Sequence, residues 1–276
     1  MSVWSQQQDS TFWTSRRGRV STRTGVILKD RKDLLFMGHR QFAELTASAT
    51  YGQLQFLAVA GRMPTAAEER LLDAMTGSTT YGDPRLWFLS TARWAASMRA
   101  PVGAAFSAAV SVVDSRVFGG YATFLVSTYM QEAVRRLVEG TTTVRKLVDE
   151  AEAKGTMIPG FGRPLVRRDE RVAILLDIHG RLGFNRGPHL ELALDLEQEL
   201  LARKDIALNC GGFVSAVLSD LGFSPRQINV LALMHFLPSI LAAICEGYDK
   251  PPAEFLPQAC EDVQYEGPDY RPLTKD

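Results

Sequence analysis

Residues 157–171, MIPGFGRPLVRRDER, join a stiff Pro-Gly-Phe-Gly turn to a run rich in arginine. Such a turn brings backbone close to a ligand, and we expect a helix that begins near Arg168 and carries Arg171 on its first turn. Because the amino terminus of a helix carries partial positive charge, an arginine there favours a nearby anion. The alternative is a solvated basic face whose charges pair with Asp169 and Glu170. The sequence leaves both interpretations open.

Helical patterns flank this stretch on both sides. Apolar residues recur at helical spacing, starting with one helix from Arg40 to a stop at Gly61 and continuing past residue 240. Thr65 and Glu68 have the spacing of a capping box. Since strands and helices do not alternate, we predict a nearly all-α fold, with at most a short strand or hairpin between residues 20 and 28.

One long helix is expected near the carboxyl end of the chain. Ser224 is placed to cap it, Pro225 suits its first position, and Pro238 should kink it. Its apolar run falls short of the roughly 20 residues that a membrane-spanning helix needs, so we predict no membrane span.

Composition narrows the function classes. The chain has 276 residues, with 31 basic and 31 acidic side chains. This balance gives no global field that would draw it to nucleic acid or an anionic membrane. Its three cysteines have neither the number nor the spacing of a disulfide framework or a zinc site, and nothing resembles a signal peptide. We expect a cytoplasmic protein without a metal.

Histidines and one cysteine are the remaining chemical candidates. We expect His179 and His189 to be structural, whereas His235 interrupts an apolar run and needs a partner or a ligand there. Cys210 stands at a predicted helix start, where the helix dipole can lower a thiol pKa. No histidine is near Cys210 in sequence, so we do not expect a nucleophile.

Four stretches, in order along the chain, together resemble the citrate synthase family. GRMPTAAEERLLDAM, residues 61–75, is similar to the family's Gly-x-x-Pro-Thr-x-x-Glu segment, and residues 158–171 to its Pro-Gly-Phe-Gly-His-Arg stretch ending in Asp-Pro-Arg. LNCGGFVSAVLSDLGF, residues 208–223, resembles its Asn-Val-Asp segment, and YEGPDYRPL, residues 265–273, its closing tail. The short length points to the compact branch that includes citryl-CoA lyases.

The resemblance implies an intertwined all-α dimer in which a large and a small domain close over a coenzyme A thioester and a di- or tricarboxylic acid. The implied division is an N-terminal arm over residues 1–35, a large domain over 36–155 and 226–276, and a small domain over about 156–225. Either a homodimer or a heteromer with a related subunit agrees with this picture.

The family's catalytic positions are substituted in this chain. The histidine before Gly-Gly falls on Phe118, the histidine of Gly-Phe-Gly-His on Arg163, and the aspartate of Asn-Val-Asp on Gly211. None of these three side chains can accept a proton at neutral pH. A substrate-binding arginine falls on His235, which becomes the candidate acid or base.

At other positions the residues agree with the ligand-binding roles that the resemblance implies. Arg171 matches the arginine of Asp-Pro-Arg that grips a carboxylate, and we expect Asn209 to line the same pocket as Arg163, Phe118 and Gly211. Arg167, with Gly160 and Gly162, is expected to hold the coenzyme A part of the ligand.

Three functions therefore stay open. The chain is an enzyme that runs a changed carbon–carbon bond reaction on an acyl thioester or polycarboxylate, a non-catalytic partner of an intact citrate-synthase-like subunit, or a ligand sensor without turnover. Retention of Arg171 and gain of Arg163 favour the first.

Overall fold

The computed structural model describes residue 18 and residues 22–163, 166–253 and 259–273. Most of the predicted N-terminal arm lies outside these ranges. Within them, helices dominate, as the sequence predicts. Those of ten or more residues are α1 (Tyr51–Ala60), α2 (Ala66–Thr79), α3 (Trp87–Ser97), α4 (Val102–Val113), α5 (Gly120–Val138), α6 (Val144–Ala153), α7 (Glu170–Arg181), α8 (Pro188–Lys204), α9 (Cys210–Asp220), α10 (Pro225–Met234) and α11 (Leu237–Asp249).

The chain divides into two compact units, residues 1–73 and 74–276. The predicted large and small domains follow other boundaries and stay a prediction. The first unit contains a small antiparallel sheet of β1 (Gly25–Ile27), β2 (Leu34–Phe36) and β3 (His39–Arg40). The carboxylate of Asp33 accepts the backbone N–H groups of Leu34 and Phe42 at 2.8 and 2.9 Å, which joins the sheet to the helical turn that follows it.

Local capping explains where helices begin and end. The predicted box forms: the N–H of Thr65 donates to Glu68 at 2.7 Å, and the N–H of Glu68 donates to the Thr65 hydroxyl at 3.2 Å. The expectation of one continuous helix from Arg40 to Gly61 is wrong. Thr50 has extended backbone and forms its own capping box with Gln53, so α1 starts afresh after it.

The last long helix is also divided. Ser224 caps α10 and Pro225 is its first residue, as predicted. The helix ends at Met234, and α11 begins at Leu237 with Pro238 at its second position. The proline therefore stands at a helix start, and the interruption falls before it, at His235 and Phe236, which keep right-handed helical dihedral angles.

The core of the second unit is formed by two groups of packed helices. In one, α3 packs against α4 and α11 around a cluster that includes Phe88, Ala109 and Ile240. In the other, α5 packs against α9 and α10, and α8 packs against α9. Nine of the eleven residues of α9 are buried, so the segments leading into that helix are held by the core.

Two further properties bear on function. The expectation that the apolar run near the carboxyl end is too short for a membrane span is wrong, because the segment Pro225–Asp249 is long and apolar enough to cross a membrane; 56% of its most apolar window is buried inside the protein. Among the described residues, no group of three or more histidine, cysteine or acidic side chains could hold a metal ion.

Candidate functional site

The Pro-Gly-Phe-Gly turn is fastened to the chain that leads into α9. Phe161 and Leu208 form an isolated antiparallel bridge. The N–H of Asn209 donates to the Gly160 carbonyl at 3.0 Å, and the side-chain amide of Asn209 donates to the Gly162 carbonyl at 2.8 Å. Two motifs far apart in sequence are thus hydrogen-bonded side by side, and we call these residues, 160–162 and 208–209, the turn wall.

Gly160 permits this contact. Its φ is +92°, and a Cβ placed on it would lie 2.9 Å from the Cα of Gly212. A Cβ on Gly212 would in turn lie 2.3 Å from the Gly160 carbonyl oxygen. The close approach that Gly160 permits is to the first turn of α9, and the predicted approach of the turn to a ligand stays a prediction. A cofactor role for Gly160 and Gly162 stays a prediction.

Gly211, which precedes Gly212 on the first turn of α9, has more space beside it than Gly212 has. Asn209 is the N-cap, and its side-chain oxygen accepts the N–H of Gly212 at 2.9 Å. Gly211 is partly exposed, and a Cβ there would meet only that side-chain oxygen, at 3.3 Å. The position where the resemblance implies an aspartate therefore has room for a side chain.

Asp169 is the centre of the site. It caps α7, and its carboxylate is fully buried. Arg171 donates to both of its oxygens, with Nε 2.7 Å from Oδ1, and the N–H of Cys210 donates to Oδ2 at 2.8 Å. Nη1 of Arg163 lies 3.4 Å from the same Oδ1. One buried carboxylate therefore brings Arg163, Arg171 and the start of α9 together.

The two arginines are charge-balanced within this cluster. Arg163 also donates from Nη1 to Glu170, the first residue of α7. Two guanidinium groups therefore face the carboxylates of Asp169 and Glu170. The pairing alternative therefore describes these contacts, and a role for the two arginines in binding an external anion stays a prediction.

Burial governs the ionisation of the cluster. It raises the pKa of Asp169, an effect that the N–H of Cys210 and the charge of Arg163 oppose. It also lowers the pKa of Arg171. The Cys210 thiol is buried, and burial raises its pKa to about 11 even though Arg171 opposes the shift. The expectation that the helix dipole lowers this pKa is wrong, because loss of solvent outweighs it.

His235 is connected to Arg171 by a short stretch after α2. Oγ1 of Thr79 lies 3.3 Å from the His235 carbonyl oxygen and 3.0 Å from the Met75 carbonyl oxygen, and its single hydrogen is shared between such acceptors. Two residues on, the N–H of Tyr81 donates to the Ser239 hydroxyl at 3.1 Å, and the guanidinium of Arg171 lies 5.2 Å from the centroid of the Tyr81 ring. Residues 79–81 thus run from the α10–α11 break to the arginine cluster.

The His235 ring is buried, and burial lowers its pKa to about 4. The imidazole is therefore neutral at pH 7. A neutral ring excludes a cationic grip in place of the arginine that the resemblance implies there, and the low pKa makes the ring a weak base.

Phe118 lies in an aromatic cluster of the core. Its ring stacks on Phe88 with centroids 6.0 Å apart, and it lies 5.7 Å from Phe236 and 6.4 Å from Trp87. These ring contacts are apolar, and a role for Phe118 in lining a pocket with the arginines stays a prediction.

Arg167 is placed apart from the cluster. Its side chain is 86% exposed and lies 3.1 Å from Asp205. Pro164 and Leu165, which precede it in the loop, are outside the described residues. Its role toward coenzyme A stays a prediction.

The other two candidate histidines have structural neighbours. Nδ1 of His189 lies 2.8 Å from Asp220, which also accepts backbone N–H groups at the start of α8. His179 is buried and stacks on Phe184.

Three residues of the site were not singled out from the sequence as site residues. Tyr81 and Ser239 carry no sequence signal, since their roles depend on how distant segments meet. Asp169 has one: it lies within a residue of the predicted helix start near Arg168, and aspartate is a standard N-cap residue. The capping rule identifies its position, although it gives no reason to expect the arginine pair.

The comparisons with known proteins bear on the fold. No protein-family model matches the chain, and no curated protein matches it significantly. Solved structures do match, and they define an all-α protein with the citrate synthase fold. The chain has the compact form of that fold seen in the citryl-CoA lyase of Hydrogenobacter thermophilus, with a TM-score of 0.82 at 24% identity over 92% of this chain and 97% of the lyase.

Two other structures extend the likeness. An ATP citrate lyase of Methanosaeta concilii, in complex with (3S)-citryl-CoA, gives a TM-score of 0.74 at 18% identity over 98% of this chain and 45% of that protein. The citrate synthase of Thermotoga maritima MSB8 gives 0.57 at 13% identity over 93% of this chain and 95% of that one. At such identities the likeness establishes the fold, which agrees with the resemblance read from the four motifs.

Proposed function

We propose that the protein binds a coenzyme A thioester and a di- or tricarboxylic acid, and that it makes or breaks a carbon–carbon bond between them with residues other than those of the family. The observation that carries this proposal is the pair of arginines gathered on Asp169. Arg171 stands at the family's carboxylate-gripping position, and Arg163 adds a cation where the family has a histidine.

The chemistry is clearest in the cleavage direction, with citryl-CoA as the substrate. A base removes the proton of the tertiary hydroxyl, and the bond from the hydroxyl-bearing carbon to the thioester α-carbon breaks. The electron pair moves into the thioester enolate, which takes up a proton at the α-carbon to give acetyl-CoA, and the other product is oxaloacetate. Stabilising the enolate oxygen is the main demand on the site.

Each role has a candidate among the described residues. Arg163 supplies a fixed positive charge for the enolate or for a carboxylate, and Arg171 holds a second carboxylate through its remaining N–H groups. His235 is neutral at pH 7 because burial lowers its pKa to about 4, so it is in the form that accepts a proton. Asp169 orients both arginines.

Calorimetric titration with citrate and citryl-CoA tests binding, and release of oxaloacetate from citryl-CoA tests turnover. We expect Arg171→Lys to weaken binding about tenfold, because lysine keeps the charge and loses the planar fork. Arg181→Lys is the matched control, since Arg181 lies on the same helix in an exposed pair with Asp177 at 2.8 Å. Circular dichroism checks that both variants fold. Absence of any binding by the wild-type protein would refute the proposal.

A second candidate function is a non-catalytic subunit that pairs with an intact citrate-synthase-like chain. The observation that favours it is the packing of Phe118, a partly buried apolar side chain that lies against the core at the position where the resemblance implies a catalytic histidine. Large apolar side chains on and beside α3, namely Trp94, Met98 and Val102, are each more than half exposed and offer a surface for a homodimer or a heteromer.

The two candidates are separated by assembly and by turnover. The mass of the protein purified from its native host, measured by light scattering and mass spectrometry, gives its partners. A homodimer that releases oxaloacetate supports the enzyme, whereas a heteromer that is active only through a related chain supports the subunit. We expect either assembly in the cytoplasm.

A further inference from the structure

The contact between Arg163 and Glu170 sets a condition on any anion that binds at this site. The Arg163 side chain is 25% exposed and donates to both Glu170 and Asp169 through Nη1. The Glu170 contact is the shorter of the two, since Asp169 Oδ1 stands 3.4 Å away. The Glu170 side chain is 64% exposed, so the nearer partner of Arg163 is also the one in contact with water.

Asp169 cannot take over the neutralisation of Arg163. Its carboxylate is fully buried and already accepts from three nitrogens of Arg171, including the backbone N–H, and from the N–H of Cys210. These four donors hold it in one orientation. The charge of Arg163 is therefore balanced chiefly by Glu170, and a second anion arriving beside an intact Arg163–Glu170 pair meets a neutral group.

Glu170 is free to leave at small cost. Exposed ion pairs contribute little because water and salt screen them. Glu170 is also the first residue of α7, where a negative charge stays favourable after its side chain rotates away. Among the described residues, Nε and Nη2 of Arg163 have no hydrogen-bond partner, so the freed guanidinium has donors for an incoming carboxylate.

We propose that Glu170 is a built-in competitor for the ligand: its carboxylate occupies the place on Arg163 that a ligand carboxylate takes, and binding requires its displacement. This inference rests on the proposed function, since it assumes a carboxylate ligand. Glu170 would then affect both the affinity of the site for a carboxylate and its preference among ligands of different charge. A displaced Glu170 stays near the bound anion, so it penalises ligands of higher negative charge more strongly.

The test is calorimetric titration of citrate into the full-length protein at low salt. We expect Glu170→Gln to tighten citrate binding about fivefold, because the competing charge is gone while the side-chain size is kept. Asp177→Asn is the matched control, since Asp177 is another exposed acid on α7 that is paired with an arginine. We expect no gain from it. In the Arg163→Ala background, Glu170→Gln should also give no gain.

The outcomes separate this inference from the proposed function. If the wild type binds citrate and Glu170→Gln binds it equally well, the competitor is refuted and the proposed function stands. An equal gain from Asp177→Asn, or a gain that persists without Arg163, would refute it too, because the effect would then be one of general charge. Binding by neither protein refutes both ideas.

Discussion

Asp169 and Arg171 form a two-point ion pair in which the Asp169 side chain is fully buried and the Arg171 side chain is 16% exposed. We expect Asp169→Asn to lower the free energy of unfolding by about 3 kcal/mol, because it leaves buried positive charge without its partner. Urea unfolding at pH 7 measures this. Asp177→Asn removes an exposed partner of Arg181 and should cost less than about 1 kcal/mol. Equal costs for the two variants would show that the buried pair has no special role in stability.

Packing of the turn wall against α9 requires a glycine at position 160. An alanine there must adopt a φ of +92° and place its Cβ 2.9 Å from both the Cα of Gly212 and a methyl group of Val126. Gly155 also has a positive φ, +61°, but a Cβ there meets nothing within 4 Å.

Gly155→Ala therefore isolates the cost of the backbone conformation, about 1 kcal/mol. We expect Gly160→Ala to be less stable than Gly155→Ala by a further ~2 kcal/mol, since overpacking adds to the conformational cost. Chemical denaturation of the two variants gives the difference. Similar stabilities would mean that α9 can shift away from the turn.

The sequence predicts the fold well because the fold depends on local periodicity and on motif order. The capping residues Thr65 and Ser224 lie where the helices start, and the all-α class follows from helical spacing throughout. Breaks were harder to predict: the interruptions at Thr50 and at His235 and Phe236 divide segments whose apolar pattern continues across the break. The spacing of apolar residues does not indicate where one helix ends and the next begins when the same face stays buried in both.

The site was predicted less completely, for a physical reason. Arg163 and Arg171 were identified from their motif, but their charge balance depends on Asp169 and Glu170, whose orientation is set by the start of α7. Tyr81 joins the site through contacts with residues far away in the sequence. The spacing of residues along the sequence does not reveal such tertiary contacts between distant segments.

The buried His235 should make stability depend on pH. Burial lowers its pKa to about 4, from an ordinary value near 6.5 in the unfolded chain. Between these values the unfolded state binds the proton and the folded state does not, so stability is present above pH 6.5 and is lost as the pH falls. We expect a loss of about 2 kcal/mol between pH 7 and pH 5.

Urea unfolding of the wild type and of His235→Gln across this range tests the assignment. The variant should lose less stability over the same interval, whatever its stability at pH 7. Some dependence will remain, because burial also lowers the pKa of His179. Parallel curves for the two proteins would show that His235 is not the group responsible.

Gly211 and Gly212 are neighbours on the first turn of α9 and differ sharply in the space beside them. A Cβ on Gly211 meets only the Asn209 side-chain oxygen, at 3.3 Å, whereas a Cβ on Gly212 would lie 2.3 Å from the Gly160 carbonyl oxygen. We therefore expect Gly211→Asp to fold with a stability within about 1 kcal/mol of the wild type, since a carboxylate is favourable at a helix start. Gly212→Asp should be destabilised by about 3 kcal/mol or more, because a backbone oxygen cannot yield to the new side chain.

The first of these variants also tests the chemistry. Gly211 is the position at which the resemblance implies the catalytic aspartate, and a positioned base contributes about 10² to 10⁴-fold to such a reaction. If the proposed function is right, Gly211→Asp should raise the rate of oxaloacetate release from citryl-CoA by at least about tenfold. Gly211→Asn, which has the same shape without the base, is the control and should give no increase. A folded Gly211→Asp protein with the wild-type rate would mean that this position does not face the reacting carbon in this chain.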